Sequence, residues 1–171
     1  MGVRWLQSRV PRFRDLSQVE LEAVSDFTLL WSLFEARVLD QRASASSISE
    51  AVDRWGLEGA LADDPYDDVF AYFQQRYFVN GHFTAHFAAL RLRANDREPQ
   101  VRAALDGTDV SSIARASAVF VIVYRFRNNL FHGGKWDYGL ADQLDNFLSA
   151  NEALKLALDR HGGLGNGLQP A

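Results

Sequence analysis

The chain has 171 residues, 47% of them hydrophobic, which is enough material for one compact core and excludes wholesale disorder. It contains no cysteine, so disulfides, thiolate metal sites and a cysteine nucleophile are excluded, and a reducing, cytoplasmic compartment is expected. The net charge of -4 argues against a strongly basic protein that coats nucleic acid. The longest apolar run, residues 116–124, is far shorter than the ~20 residues of a membrane span, so no membrane association is expected.

The first strong structural signal follows a basic N-terminal segment. Residues 1–15 are rich in arginine and show no clear period, which predicts an arm of low order. Ser17 and Glu20 then have the spacing of a capping box, and apolar residues recur every three or four positions up to about Leu39. This pattern predicts a first long helix, in which Glu35 lies close to the apolar face as a solvated or salt-bridged acid.

Two further helix starts follow. Ser47 and Glu50 repeat the capping-box spacing and predict a short helix that Gly56 closes. Asp64 precedes a proline, which is a cap followed by a residue suited to the first helical position. The sequence therefore predicts a third helix over residues 65–79.

The middle of the chain carries weaker signals. Asn80 and Gly81 are expected to end the third helix. Helical spacing resumes weakly over residues 82–93, a loop is predicted over 95–99, and residues 101–105 are expected to form a helical turn.

The central element is the long segment between Gly107 and Gly133, which contains neither glycine nor proline. Its β-branched part, residues 119–124, is compatible with a buried strand, but the uninterrupted length favours a helix because strands are typically ~5 to 6 residues long. A last helix is predicted over residues 138–160.

Neither an internal repeat nor a glycine-rich phosphate loop nor a set of alternating strands is found in the sequence. We therefore predict an all-α bundle of about five to six helices that forms one domain over residues 16–162. Residues 163–171 are predicted to be a disordered tail.

The densest cluster of chemically useful side chains lies where the central apolar run ends. Within a dozen positions it offers an imidazole for proton transfer, guanidinium groups and amide donors, which together suit an anionic substrate. These residues are Arg125, Arg127, Asn128, Asn129, His132 and Lys135.

The sequence gives little reason to expect a metal or cofactor. His82 and His86 have the spacing of a two-histidine clamp on one helical face, but residue 83 is Phe rather than Glu and no third ligand is apparent. We therefore predict neither a metal site nor a cofactor.

Arg127 and His132 are separated by four residues at the end of an apolar helix, and a polar residue, Asn128, directly follows the arginine. This pattern resembles the signature of the HEPN family, and the expected first helix, with its Leu-Trp-Ser-Leu-Phe-Glu-Ala segment, adds to the resemblance. The bare spacing is also met by Arg76 with His82 and by Arg125 with His132. The resemblance implies an α-helical bundle, and in many members a metal-independent ribonuclease of toxin-antitoxin, abortive-infection or other defence systems.

RNA cleavage without a metal needs a base, an acid and cations that stabilise the phosphorane. On one helix Arg127 and His132 are ~7.5 Å apart along the axis and about 140° apart around it, so one copy does not easily bring both to a single phosphate. The resemblance implies a homodimer whose two motifs face one cleft. Two copies of His132 would then divide the acid and base roles, two of Arg127 would hold the phosphate, and Asn128 would orient the site. The product would be a 2′,3′-cyclic phosphate.

Neighbouring residues extend this hypothesis. Arg125 and Lys135 are expected at the rim of the cleft as charges that contact RNA phosphates, with Asn129 as a further RNA-binding residue. Related toxins regulated by nucleotidylation often carry Tyr two residues after the His, where this chain has Gly134, so such regulation is not expected. Three aromatic residues suit either base stacking or packing in the core or dimer, namely Phe126, Phe131 and Trp136.

The leading hypothesis is thus a metal-independent endoribonuclease with RNA as substrate, a second copy as partner, and an antitoxin or defence-complex protein as a possible further partner. The alternative is a non-catalytic HEPN module that binds RNA or nucleotide or acts as a scaffold, with His132 capping a helix. A third reading is a helical interaction protein in which the Arg–His pair serves dimer packing.

Overall fold

The computed structural model describes residues 2–131 and 143–164, and this part of the chain is mostly helical. Five helices are longer than ten residues, which confirms the predicted all-α class. In chain order the elements are α1 (Gly2–Arg9), α2 (Pro11–Arg14), α3 (Gln18–Val38), α4 (Ala45–Leu57), α5 (Asp67–Tyr77), β1 (Phe78–Val79), β2 (His82–Phe83), α6 (Ala85–Ala88), a 3₁₀ turn (Ala94–Asp96), α7 (Glu98–Leu105), α8 (Ser112–Phe131) and α9 (Leu144–His161).

Helix α3 begins where the sequence predicts. The Ser17 side chain accepts from the Glu20 amide and the Glu20 carboxylate accepts from the Ser17 amide at 2.8 Å, so both halves of the capping box are formed. The helix packs against α9, where the amide of Asn151 donates to the carbonyl of Ala23 at 2.9 Å. The buried positions of α3 recur every three or four residues as predicted, at Ala23, Phe27, Trp31, Phe34 and Val38.

Helix α8 forms the centre of the bundle and confirms the choice of helix over strand. It packs against α4, α5 and α7, and residues 118–123 are buried without interruption. Because α8 contacts neighbours on several sides, most of its surface is buried. Its sequence therefore has no separate polar face and shows no amphipathic pattern. Its last two turns carry the candidate site residues Arg125, Arg127, Asn128 and Asn129.

The bundle has one contiguous cluster of buried hydrophobic residues in the part that the structure describes. Helix α9 contributes one face of this cluster and ends at His161, one residue before the predicted Gly162 stop. It begins at Leu144, after the non-helical Gln143, and so later than the predicted start at residue 138. Residue 138 itself and most of the predicted 163–171 tail fall outside the described residues.

Helix boundaries differ from the prediction at several places, including α7, which begins at Glu98 inside the loop predicted over 95–99. The N-terminal arm was predicted to have low order, yet it forms α1 and α2, and Phe13 is buried against the core. Helix α4 is capped by Ser44, whose hydroxyl accepts from the Ser47 amide at 3.0 Å, so it starts one turn earlier than expected. Ser47 is therefore the third helical residue of this capping box and not the cap itself.

Helix α5 starts at Asp67 because Asp64 has another role. The Asp64 carboxylate lies 2.6 Å from Nη2 of Arg115 on α8, and its backbone is left-handed with φ of 46°. A residue in that conformation is not in the extended geometry of an N-cap. A tertiary ion pair thus overrides the local start signal.

The predicted weak helix from His82 is replaced by a two-stranded hairpin and the short helix α6. Asn80 and Gly81 both have positive φ, 51° and 79°, as a type I′ hairpin turn requires. The Asn-Gly pair was interpreted as a helix end, but it is also the strongest short hairpin signal. Strand pairing places Phe78 opposite Phe83, with ring centroids 5.0 Å apart.

Among the residues that the structure describes, no helix is both long enough and apolar enough to cross a membrane.

Candidate functional site

The C-terminal end of α8 carries four of the six residues that the sequence singles out, Arg125, Arg127, Asn128 and Asn129. The other two, His132 and Lys135, lie outside the described residues, as do Gly134 and Trp136. The geometry of the candidate site can therefore be built from the arginine and asparagine side chains of α8 and from the elements that contact them.

Arg125 is not at the surface. The residue is 2% exposed, and its Nε donates to the carbonyl of Leu90 at 3.2 Å. Its Nη1 lies 3.2 Å from Oδ2 of Asp96, which is also 2% exposed, although this contact is not aligned as a hydrogen bond. The expectation of a phosphate-binding position at a cleft rim is therefore wrong for Arg125, because the guanidinium is enclosed and held by a buried acid.

Burial is costly for this cation. Loss of solvation lowers the pKa of Arg125, while the negative charge of Asp96 raises it and the nearby charge of Arg93 lowers it again. Arginine stays protonated in proteins, so burial does not neutralise the side chain. The buried positive charge must be compensated by an acid instead. Asp96 therefore compensates the buried charge of Arg125. The two residues are 29 positions apart in the chain, so no local sequence pattern indicates the pair.

Asn129 serves the same contact. Its Nδ2 donates to the Leu90 carbonyl at 3.2 Å, and its Oδ1 accepts from Nη2 of Arg125 at 3.4 Å. Asn129 was expected to bind RNA, but both polar atoms of its side-chain amide are hydrogen-bonded within the protein. The residue, together with Arg125, connects α8 to the segment that follows α6.

Arg127 has a different environment. Its side chain is 29% exposed, and Nη1 donates to Oδ1 of Asn128 at 3.1 Å. Nη2 lies 3.8 Å from Oε2 of Glu35 on α3, at the long end of ion-pair distances. Arg127 is therefore partly accessible, and its contacts include a neighbouring amide and a more distant carboxylate.

Glu35 is salt-bridged, as the sequence allowed, but its anchoring by a tryptophan was missed. The indole Nε1 of Trp31 donates to the same Oε2 at 2.8 Å, so the carboxylate is fixed by its own helix. Trp31 and Glu35 are four residues apart, a spacing that places them on one face of α3 and could have suggested this bond. Asn128 is 6% exposed, and its Oδ1 accepts from Arg127.

The other sequence candidates do not converge on this site. His82 lies on β2 and His86 on α6, so the shared helical face expected for a metal clamp does not exist. Within residues 2–131 and 143–164, no group of three or more potential ligands could hold a metal ion. Phe126 is buried against Phe73 and Phe147, with ring centroids at 5.7 and 6.3 Å, so it belongs to the core.

A separate cavity of about 340 Å³ lies between α4, α7 and α8. It has an apolar floor that includes Val101 and Val121, and a charged rim that includes Asp53 and Arg97. None of the six candidate residues lines it, so the cavity and the α8 end are separate features.

Comparison with known proteins leaves the family open, since no family model, no curated protein and no solved structure matches the chain.

Proposed function

We propose that the protein is a metal-independent endoribonuclease of the HEPN type that acts as a homodimer. The observation that supports this best is the environment of Arg127, the arginine that starts the Arg-x4-His pattern. It is partly accessible at the end of α8, whereas Arg125, which also meets the spacing with His132, is enclosed.

The contacts of Arg127 fit the role of a phosphate-binding group. An arginine that exchanges a carboxylate for a phosphate must leave its resting partner at small cost. Glu35 keeps its hydrogen bond from Trp31 when Arg127 moves, so the carboxylate is not left without a donor. Asn128 remains beside the guanidinium and limits its orientations.

In the proposed reaction His132 of one subunit removes the proton from the 2′-hydroxyl, which attacks the adjacent phosphorus. His132 of the other subunit protonates the departing 5′-oxygen, and the products are a 2′,3′-cyclic phosphate and a 5′-hydroxyl end. Two Arg127 guanidinium groups stabilise the charge on the phosphorane oxygens. An RNA-cleaving toxin or defence effector is the setting that the resemblance suggests, with an antitoxin or defence-complex protein as partner.

The test is cleavage of single-stranded RNA by the purified protein with a chelator present, and with the product ends identified chemically. We expect His132→Ala and Arg127→Ala to lose cleavage by at least about 100-fold, since each removes a group used in the transition state. Arg160→Ala is the matched control, because Arg160 is also a partly exposed arginine paired with an acid, Asp63, at 2.6 Å. Activity that survives in either site variant, or that requires a metal ion, would reject the proposal.

The dimer is tested separately. The cleavage activity per subunit should rise with protein concentration over the range in which analytical ultracentrifugation shows the monomer–dimer transition. Activity that is constant while the protein is monomeric would contradict a site shared by two subunits.

The contacts of Arg127 with Glu35 and Asn128 also suit a second candidate function, a non-catalytic module of the same type that binds RNA or nucleotide. In that case the wild type binds fluorescently labelled RNA, as measured by anisotropy, and shows no cleavage at any protein concentration.

A further inference from the structure

The segment between α6 and α7 shows a division between buried and exposed side chains. Leu90 and Asp96 are 3% and 2% exposed, whereas Arg91, Arg93 and Arg97 are all exposed. We call residues 90–97 the arginine loop. Its buried residues attach it to the protein, and its cations face outward.

The arginine loop is attached to α8 near both of its ends. At its start, the Leu90 carbonyl accepts from Arg125 and Asn129, each at 3.2 Å. Near its end, Asp96 pairs with Arg125 and also accepts from the Arg93 amide at 2.7 Å. Because these anchors are buried, the loop is a fixed platform for its arginines and not a loosely attached segment.

The backbone of the arginine loop supports this interpretation. Arg91 and Arg97 have left-handed conformations, with φ of 52° and 55°. Such a conformation is unfavourable for a residue with a side chain and persists where the surrounding structure enforces it. Arg91 directly follows Leu90 and Arg97 directly follows Asp96, so each left-handed residue is next to an anchor to α8.

The charge of this region is positive on a protein that is acidic overall. Of the acids near the loop, Asp96 pairs with Arg125 and Glu98 with Arg102 at 2.7 Å, while Asp53 and Asp109 line the same cavity as Arg97. Residues 90–97 alone contain three arginines and one acid, a formal charge of +2, against -4 for the whole chain. A local positive surface of this kind attracts a polyanion.

The arginine loop lies close to the proposed active site but on the other side of α8. Residues 125 and 127 are about 200° apart around a helix, so the loop contacts one flank of α8 while Arg127 faces Glu35 on the opposite flank. The anchoring residues 125 and 129 belong to the last two turns of the helix. A nucleic-acid strand that reaches both must therefore cross the C-terminal end of α8.

We propose that the arginine loop binds the RNA backbone beside the scissile phosphate, through guanidinium–phosphate contacts that do not read the bases. This inference rests on the proposed ribonuclease function and adds a binding surface to it. The buried Arg125 acts indirectly, because it holds the loop and does not touch RNA. The loop contributes to binding of RNA longer than a dinucleotide and contributes nothing to cleavage of a dinucleotide.

The first test uses the triple variant Arg91→Gln/Arg93→Gln/Arg97→Gln. Binding of a fluorescently labelled single-stranded RNA is followed by anisotropy at several salt concentrations, on the His132→Ala background so that no cleavage occurs. We expect the variant to bind at least about 10-fold more weakly at low salt, and the slope of log affinity against log salt to decrease by about 2, as three lost phosphate contacts predict.

The matched control removes the same charge elsewhere, as Arg9→Gln/Arg42→Gln/Arg54→Gln, since these three arginines are also exposed. The control should retain the salt slope of the parent. An unchanged slope in the loop variant, or an equal decrease in both variants, would overturn the proposal. Equal melting temperatures of the two variants show that neither result comes from unfolding.

A second measurement separates binding from chemistry. In the active protein the loop variant should raise the KM for the long RNA and leave cleavage of a dinucleotide unchanged. Loss of dinucleotide cleavage would overturn the assignment of the loop to binding alone. If the wild type cleaves no RNA, the ribonuclease proposal fails, while the anisotropy result still decides whether the loop binds RNA.

Discussion

Arg125 and Arg127 are two positions apart on the same helix, and their environments are opposite. Arg125 is enclosed with Asp96, and its contacts hold one segment of the protein against another. Arg127 is partly exposed and lies 3.8 Å from Glu35. Two residues that are two positions apart on a helix point in nearly opposite directions. Arginines that are close in the sequence can therefore have different roles, one buried and one accessible.

The largest expected effect comes from breaking the buried pair. Arg125→Ala leaves Asp96 enclosed without its cation, so the free energy of unfolding should fall by about 3–5 kcal/mol. Urea denaturation of the variant and the parent measures the difference. A loss below about 1 kcal/mol would show that Asp96 reaches solvent when its partner is removed.

A double variant sharpens this result. Replacing both members, as Arg125→Met/Asp96→Leu, removes the uncompensated charge and should regain stability relative to Arg125→Ala alone. If the double variant is the less stable of the two, the hydrogen bonds to Leu90 and to the Arg93 amide matter more than the charge pair.

Burial also affects a histidine, and the effect of that burial on stability depends on pH. His161 at the end of α9 stacks on Trp55, with ring centroids 4.0 Å apart, and burial together with the charges of Arg160 and Arg54 lowers its pKa to about 4. The unfolded chain takes up the proton near pH 6.5, before the folded protein does. Stability is therefore fully present above pH 6.5 and is lost as the pH falls toward 4.

The expected loss over this pH interval is about 2 kcal/mol, after allowance for the partial exposure of the ring. Melting temperatures measured between pH 7 and pH 4 test it. His161→Phe keeps an aromatic ring against Trp55 and should show a shallower decline than the wild type. Equal slopes in the two proteins would mean that other groups cause the acid sensitivity.

The smallest expected effect on stability comes from the exposed pair. Arg127→Ala should lower the free energy of unfolding by less than Arg125→Ala does, because loss of the 3.8 Å ion pair between the partly exposed side chains of Arg127 and Glu35 costs only about 1 kcal/mol. Urea denaturation under the same conditions as for Arg125→Ala gives a direct comparison. A loss as large as that of Arg125→Ala would make Arg127 a packing residue and would favour the structural reading of the motif.

Local chemistry predicted much of the helical architecture. The capping box at Ser17, the apolar spacing of α3 and the uninterrupted length of α8 each specify a helix without help from the rest of the protein. The errors occur where a distant residue competes with a local signal. Asp64 pairs with Arg115 and does not cap α5, and Asn80 forms a hairpin turn.

The candidate site was predictable in part. The position of Arg127 and Asn128 at the end of a helix follows from the sequence, and the Arg-x4-His pattern that selects them is local. The burial of Arg125 was not predictable, since it depends on Asp96 and on the Leu90 carbonyl, which come from a different part of the chain.

By itself, the sequence determined that the chain is helical and where most of its longest helices lie, because propensity, capping and apolar period act over a few residues. Only the tertiary structure decided which arginine is enclosed and which is accessible, and that the arginine loop is fixed beside α8. Burial and ion pairing join residues that are far apart in the chain, so no local pattern specifies them.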